Sequence, residues 1–95
     1  MAQDDLFKAL ADPNRRKILR LLREKVSLTA GEIAEQFTIS KPAISEHLKI
    51  LRNAGLIYAD KQGQFIKYQL NMTVMEDLAA LLFDFLKINA KEEEE

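Results

Sequence analysis

A chain of 95 residues makes one domain and, at that size, buries about two-thirds of its unfolded surface, which leaves little interior for a deep catalytic pocket. With 47% hydrophobic and 31% charged residues and no low-complexity body, the composition is that of a soluble globular protein, and the absence of cysteine excludes disulfides, thiol nucleophiles and thiolate metal sites. The net charge of −1 argues by itself against a strongly basic nucleic-acid binder, but four of the 15 acidic residues form the run 92–95, and without them the balance is 14 minus 11, or +3.

The N-terminus, "MAQDDLFKAL", has neither a basic n-region nor an apolar h-region. No window reaches about 18 uninterrupted apolar residues, so neither secretion nor membrane insertion is expected and the chain reads as cytoplasmic. Leu6, Phe7 and Leu10 mark a short first helix that ends in "ADPN", where Asp12 caps and Pro13 opens the next helix. That second helix runs to about Lys25, with Ile18, Leu21 and Leu22 inward and Leu19 on the flank. Arg15, Arg16 and Lys17 crowd its first turn, where the helix macrodipole disfavours cations. Either an external phosphate or an acidic residue of the chain would relieve that conflict.

"TAGE" at 29–32 is a capping box that opens a third helix with Ile33, Ala34 and Phe37 on its apolar side. Thr38, Ile39 and Ser40 turn the chain into a fourth helix over 41–53, with Ser40 as N-cap and Gly55 as the stop. Two short helices joined by a few residues make a helix-turn-helix. After Gly55 the hydrophobic period changes from 3.6 to 2. "LIYAD" and "FIKYQL" are expected to be strands, and "KQGQ" supplies the glycine of a hairpin, which makes 57–70 a wing. "TVME" is a second capping box, followed by a long helix through Lys87. The expected fold is therefore mainly α with a small β-hairpin, a dimeric winged helix-turn-helix ordered α-α-α-α-β-β-α, occupying 1–91 and followed by an acidic tail at 92–95 that reads as a solvated end.

The fourth helix carries the most informative surface. At about 100° per residue, Ile44, Leu48 and Leu51 form a core stripe, and Pro42, Ser45, Glu46 and Lys49 point away from it. Exposed helix faces are usually filled by long charged residues, whereas Pro42, Ala43 and Ser45 are small and let a backbone approach something closely. The floor of a DNA major groove is wide enough to admit an α-helix. Lys41 and Ser45 are base or phosphate contacts on this reading, and plain surface otherwise. Glu46 either accepts from a cytosine amino group or pairs with Lys49 in solvent. His47 lies at the boundary of the stripe, a packed side chain first and a phosphate donor second; with no second histidine and no cysteine it is not a metal ligand. Ile50 is apolar yet lies off the stripe. At the wing, Lys61, Gln62 and Gln64, with Lys67 on the return strand, are placed to reach phosphates or the minor groove. Between 41 and 67 there are five basic residues against two acidic ones, a local basic strip.

The last helix is apolar nearly all round, with Val74, Met75, Leu78, Leu81, Leu82, Phe83, Phe85, Leu86 and Ile88. A small domain cannot cover so many faces, so self-association is expected, with Leu6, Leu10, Leu78, Leu81, Leu82 and Phe85 in the dimer interface. Enzyme chemistry finds no footing: one histidine, no cysteine, three glycines without a phosphate-binding motif, and Glu32 and Glu35 at ordinary surface spacing. No cofactor is expected.

"LADPNRRKILRLL", "TAGEIAEQFTISKPAISEHLKILRNAGLI" and "KQGQFIKYQLN", in that order, resemble the arsenic-repressor (ArsR) family of bacterial winged helix-turn-helix repressors, and particularly its metal-independent, autorepressor-like branch (SdpR-like). The resemblance spans roughly residues 6–86. It implies a homodimer joined by the first and last helices that binds palindromic operator DNA and blocks transcription. It also implies that Lys41, Pro42, Ser45 and Glu46 are the groove-facing positions of the recognition helix, with Gln62, Gly63 and Gln64 at the wing; Ser40, His47 and Lys49 complete the expected DNA-binding set on α4. Many relatives have histidine or arginine where this chain has Glu46, which bears on its base preference. Metal-sensing relatives carry cysteines in an E-L-C-V-C-like segment of the third helix, where this chain reads "EIAEQF", or acidic and histidine ligands on the last helix, which here has no histidine. The rival from another class is a winged-helix module that binds protein rather than DNA, separable by the salt dependence of duplex binding.

Overall fold

The computed structural model of the protein describes residues 3–94, and the side chains of residues 4–87. In chain order the elements are α1 (Gln3–Leu10), α2 (Pro13–Lys25), β1 (Leu28–Thr29), α3 (Ala30–Ala34), α4 (Lys41–Asn53), β2 (Ile57–Gln62), β3 (Phe65–Leu70) and α5 (Met72–Glu94).

Local chemistry sets most of these boundaries. Asp12 sits in the extended region and its Oδ1 accepts from the backbone N–H groups of Asn14 and Arg15, at 2.8 and 3.2 Å, while Pro13 takes the first helical position. At α3 the reciprocal box closes in both directions: Glu32 N–H donates to Thr29 Oγ1 at 3.1 Å, and Thr29 N–H donates to Glu32 Oε1 at 2.8 Å. Ser40 Oγ accepts from Ala43 N–H at 3.2 Å to start α4. That helix stops where Gly55 adopts φ 78°. There Gly55 N–H reaches Arg52 O at 2.9 Å and Leu56 N–H reaches Leu51 O at 3.0 Å, a Schellman motif whose accompanying apolar contact joins the fully buried Leu51 and Leu56.

The hairpin turn needs its glycine as well: Gly63, at φ 64°, takes the first central position of a two-residue connection between Gln62 and Phe65, which pair directly. β2 and β3 run antiparallel in register from Ile57↔Leu70 to Gln62↔Phe65, and β1 adds antiparallel to the other side of β3 through Leu28↔Tyr68 and Thr29↔Lys67. The sheet is therefore three-stranded, in the order β1-β3-β2, where two strands were expected. β1 is two residues long, too short to show a period of 2 in sequence.

One core holds the domain together. Ile18, Leu22, Ile33, Ile44, Leu51 and Leu56 are fully buried, and Ala9, Leu19, Leu48, Ala54 and Ile57 complete the cluster. Each large side chain so buried contributes about 1.5–3 kcal/mol relative to exposure. Leu19 is inside and Leu21 only half-buried, the reverse of their expected roles, because β3 covers the Leu19 flank of α2 with Tyr68 and Leu70. Phe37 lies beyond the short α3 yet packs on the core as expected.

Two boundaries of α5 differ from expectation. The helix begins at Met72, and Asn71 caps it: Asn71 Oδ1 accepts from Val74 N–H at 3.3 Å, and Thr73 is an exposed first-turn residue. Asn is at least as good a cap as Thr, and Asn71 is held in place by its own N–H bond to Leu56 O at 2.9 Å. The helix then runs past Lys87 to Glu94, and the side chains of the acidic run lie outside those described. Val74 and Met75 pack on the core, but Leu82, Phe83, Phe85 and Leu86 are each more than half exposed. The result is an elongated body of 57 × 26 × 24 Å.

Candidate nucleic-acid interface

α4 is divided as its sequence pattern requires. Ile44, Leu48 and Leu51 are buried against α2, α3 and β2, while Lys41, Pro42, Ser45, Glu46 and Lys49 are all exposed on the other side. Ser40 is exposed at the helix start, where its Oγ accepts for the cap and its O–H donor is left over. Ala43, expected among the outward small residues, is half-buried and leans toward the core. Beside this face, Ala30, Gly31, Ala34, Lys41, Ile44 and Ser45 line a cleft of about 280 Å³ where α3 crosses α4. The small side chains of α3 thus leave the Lys41–Ser45 side of α4 open.

His47 is half-buried at the edge of the same face, and its Nδ1 lies 3.3 Å from Arg15 Nη1 on α2. Arg15 also donates from Nε to Ala9 O at 2.8 Å and from Nη2 to Lys8 O at 3.0 Å, and Arg16 donates to Leu10 O at 2.8 Å. Lys17 donates to Gln36 O and places its ammonium 4.4 Å from the Phe37 ring centroid. Arg15 and Arg16 are therefore answered by the C-terminal carbonyls of α1, whose dipole is negative there, and Lys17 by Gln36 O in the turn that follows α3. The carboxylate of Asp12 at the cap of α2 adds to this through its interaction with Arg15. No local pattern announces this arrangement, since the partners lie 6 to 32 positions away in sequence. Ile50 finds its place here too, lining a cleft of about 480 Å³ between α1 and α4 with Asp5, Lys8, Arg15, Asn53 and Ala54.

Burial pushes the Asp12 carboxyl upward, but the N–H bonds from Arg15 and Asn14, with the nearby charges of His47 and Arg15, outweigh it and hold it below the usual carboxylate range. Glu32 is lowered chiefly by the Thr29 N–H bond, with the Thr29 hydroxyl and the Lys67 charge adding to it.

On the wing, Lys61, Gln62 and Gln64 are exposed at the far end of the hairpin, and Gln62 Nε2 donates to Asp60 Oδ2 at 3.3 Å. Lys67 is placed differently. It is half-buried in the middle strand, opposite Asp60 on one side and Thr29 on the other, and close enough to Glu32 to influence it. Phe65 and Ile66, for which the sequence suggested no role beyond strand formation, stand more than half exposed beside the turn.

A helix-turn-helix whose second helix shows a small, polar outer face, followed by a projecting hairpin, defines the class of winged-helix DNA-binding proteins. Residues 12–59 match the model of the family described as "Bacterial regulatory protein, arsR family". The chain is 51% identical over 83 residues to the transcriptional repressor SdpR of Bacillus subtilis, covering 87% of this chain and 91% of that protein. It is 41% identical over 66 residues to the arsenical resistance operon repressor of Escherichia coli, covering 70% of this chain and 56% of that one. Among solved structures, an ArsR-like transcriptional regulator from Rhodococcus superposes with a TM-score of 0.80 at 28% identity, over 96% of this chain and 80% of the other. The chain belongs to the ArsR family of bacterial transcription regulators; it is a DNA-binding regulator and not an enzyme. No described helix is long and apolar enough to cross a membrane.

Proposed function

We propose that the protein is a cytoplasmic homodimeric repressor that binds palindromic operator DNA. α4 enters the major groove with Lys41, Pro42, Ser45 and Glu46 toward the base edges, and Ser40, His47 and Lys49 lie along the flanking phosphates. Lys61, Gln62 and Gln64 of the wing grip the adjacent backbone or minor groove. Lys67 of the return strand, half-buried opposite Asp60, adds its charge to the same side of the wing. The single observation that carries this reading is the exposed outer face of α4, small in the middle and basic at Lys41 and Lys49, on a chain whose relatives include named repressors. α5, with Leu78, Leu81, Leu82 and Phe85, and α1, with Leu6 and Leu10, form the dimer. Leu6 and Leu10 divide their surface between that contact and their own core. With one histidine and no cysteine, the chain lacks the ligands for release by a thiolate-bound metal.

A salt titration on duplex DNA tests the reading. Lys61→Ala should weaken binding to all sequences alike and reduce the salt slope by about one unit for each phosphate that the side chain neutralises. Ser45→Ala should instead alter discrimination at one operator position, by about 1–3 kcal/mol. Unchanged affinity, slope and preference in both folded variants would move the outer face of α4 from DNA to a protein partner.

A further inference from the structure

The link between α2 and the recognition helix fixes a proton. A guanidinium has five N–H donors and no acceptor, so the 3.3 Å approach of Arg15 Nη1 to His47 Nδ1 is a hydrogen bond only when Nδ1 carries no proton. The neutral ring then holds its hydrogen on Nε2, on the side away from Arg15. The guanidinium itself is not free to follow the ring, because its Nε and Nη2 are bound to Ala9 O and Lys8 O at 2.8 and 3.0 Å. The C-terminal carbonyls of α1, a charged fork and the recognition helix thus form one chain of contacts. Two charged groups from the start of α2 lie near His47: the Arg15 guanidinium, which meets Nδ1, and the Asp12 carboxylate, whose range is lowered partly by Arg15.

From this geometry we infer that Arg15 is a positioning residue for DNA binding: anchored on the end of α1, it holds His47 as the Nε2–H tautomer, so that α4 offers the DNA backbone an oriented N–H donor. The inference rests on the reading that the outer edge of α4 meets DNA. It makes α1 part of the recognition apparatus, since any movement of Lys8 and Ala9 moves the guanidinium that sets the ring. Arg15 needs no contact with DNA to do this.

Two measurements on the full chain test it. His47 is the one histidine in the sequence, so its ring nitrogens are assigned without ambiguity in a two-bond proton–nitrogen correlation spectrum. At about pH 8, above the ordinary histidine range of about 6.5, the wild type should show an unprotonated, hydrogen-bonded Nδ1 and a protonated Nε2. Arg15→Gln, which is too short to span both partners, should move the ring to tautomer averaging. Averaged signals in the wild type, or a spectrum unaltered by Arg15→Gln, overturn the proposal.

The second measurement is a double-mutant cycle on operator or random duplex DNA. Arg15→Gln should weaken binding about tenfold, the scale of one hydrogen bond to a charged group, and should cost much less when His47 is already Gln. Equal losses in both backgrounds would mean that Arg15 acts on DNA directly or on the fold alone, and the proposal falls. If His47→Gln leaves DNA affinity unchanged, the His47 contact falls and the proposal with it, while the remainder of the α4 surface stands on the Ser45 and Lys61 variants.

Discussion

Asp12 illustrates how much one side chain organises at the residue scale. Its carboxylate satisfies two otherwise unpaired N–H groups of α2 and lies within reach of the Arg15 guanidinium. Asp12→Ala should lower stability by about 1 kcal/mol, and Asp12→Asn, which keeps the capping oxygen, by much less. Because the native pKa is depressed, the charge-dependent part of this contribution is complete above the unfolded value of about 3.9 and is lost as pH falls through the lower native value. Urea unfolding at pH 7 and near pH 3 checks both statements: the advantage of Asp over Asn should be present at the first and shrink at the second.

Val26 is a residue of the opposite kind. It ends α2 at φ 69° and ψ −58°, with Ser27 N–H bonded to Lys25 O at 2.8 Å, a γ-turn of the rare positive-φ form. A β-branched side chain there is strained by about 1–3 kcal/mol, and at 70% exposure its packing gives little back. Glycine relieves that strain against an entropic cost of about 0.5–1 kcal/mol. Val26→Gly should therefore raise stability by about 1 kcal/mol in chemical denaturation, and a loss of that size would show that the turn is not strained.

At the scale of elements, the parts legible in the sequence are those with a strong period or a cap made of adjacent residues. α4 starts and stops where Ser40 and Gly55 place it, the wing occupies 57–70, and the "TAGE" box closes as drawn. What was not legible depends on partners distant in sequence. β1 exists because β3 has a free edge, Leu19 is buried because β3 lies over it, and Asn71 outcompetes Thr73 because its own N–H is tied to Leu56. Within the site, the outer face of α4 follows from helical angle alone, whereas the Arg15 fork and the pairing of Lys67 between Thr29 and Asp60 need the tertiary fold. α5 carries the prediction proper to this scale. Leu82 is 52% exposed on a helix with little of its own domain to cover it. Leu82→Asp places an unpartnered charge in the proposed interface and should lower the mass seen by light scattering from dimer to monomer with helicity retained. An unchanged mass in a folded variant would remove Leu82 from that interface.

On the scale of the whole molecule, the net charge of −1 misdescribes the surface, because acidic residues at 92–95 offset a basic strip between 41 and 67. The elongated shape has a similar logic: a compact reading head built on α2, α3, α4 and the sheet, with α5 extending from it as the element that, in the proposed dimer, fixes the distance between two heads. A two-fold pair of such heads must present both recognition helices to one side of a duplex, which ties operator symmetry to protein symmetry. Selection of bound sequences from a random duplex pool tests this most directly. The enriched sites should contain two inverted half-sites with centres about 10 base pairs apart, or a multiple of that. Enriched sites without inverted symmetry, or no enrichment by a folded protein, would contradict recognition of DNA by a pair of α4 helices.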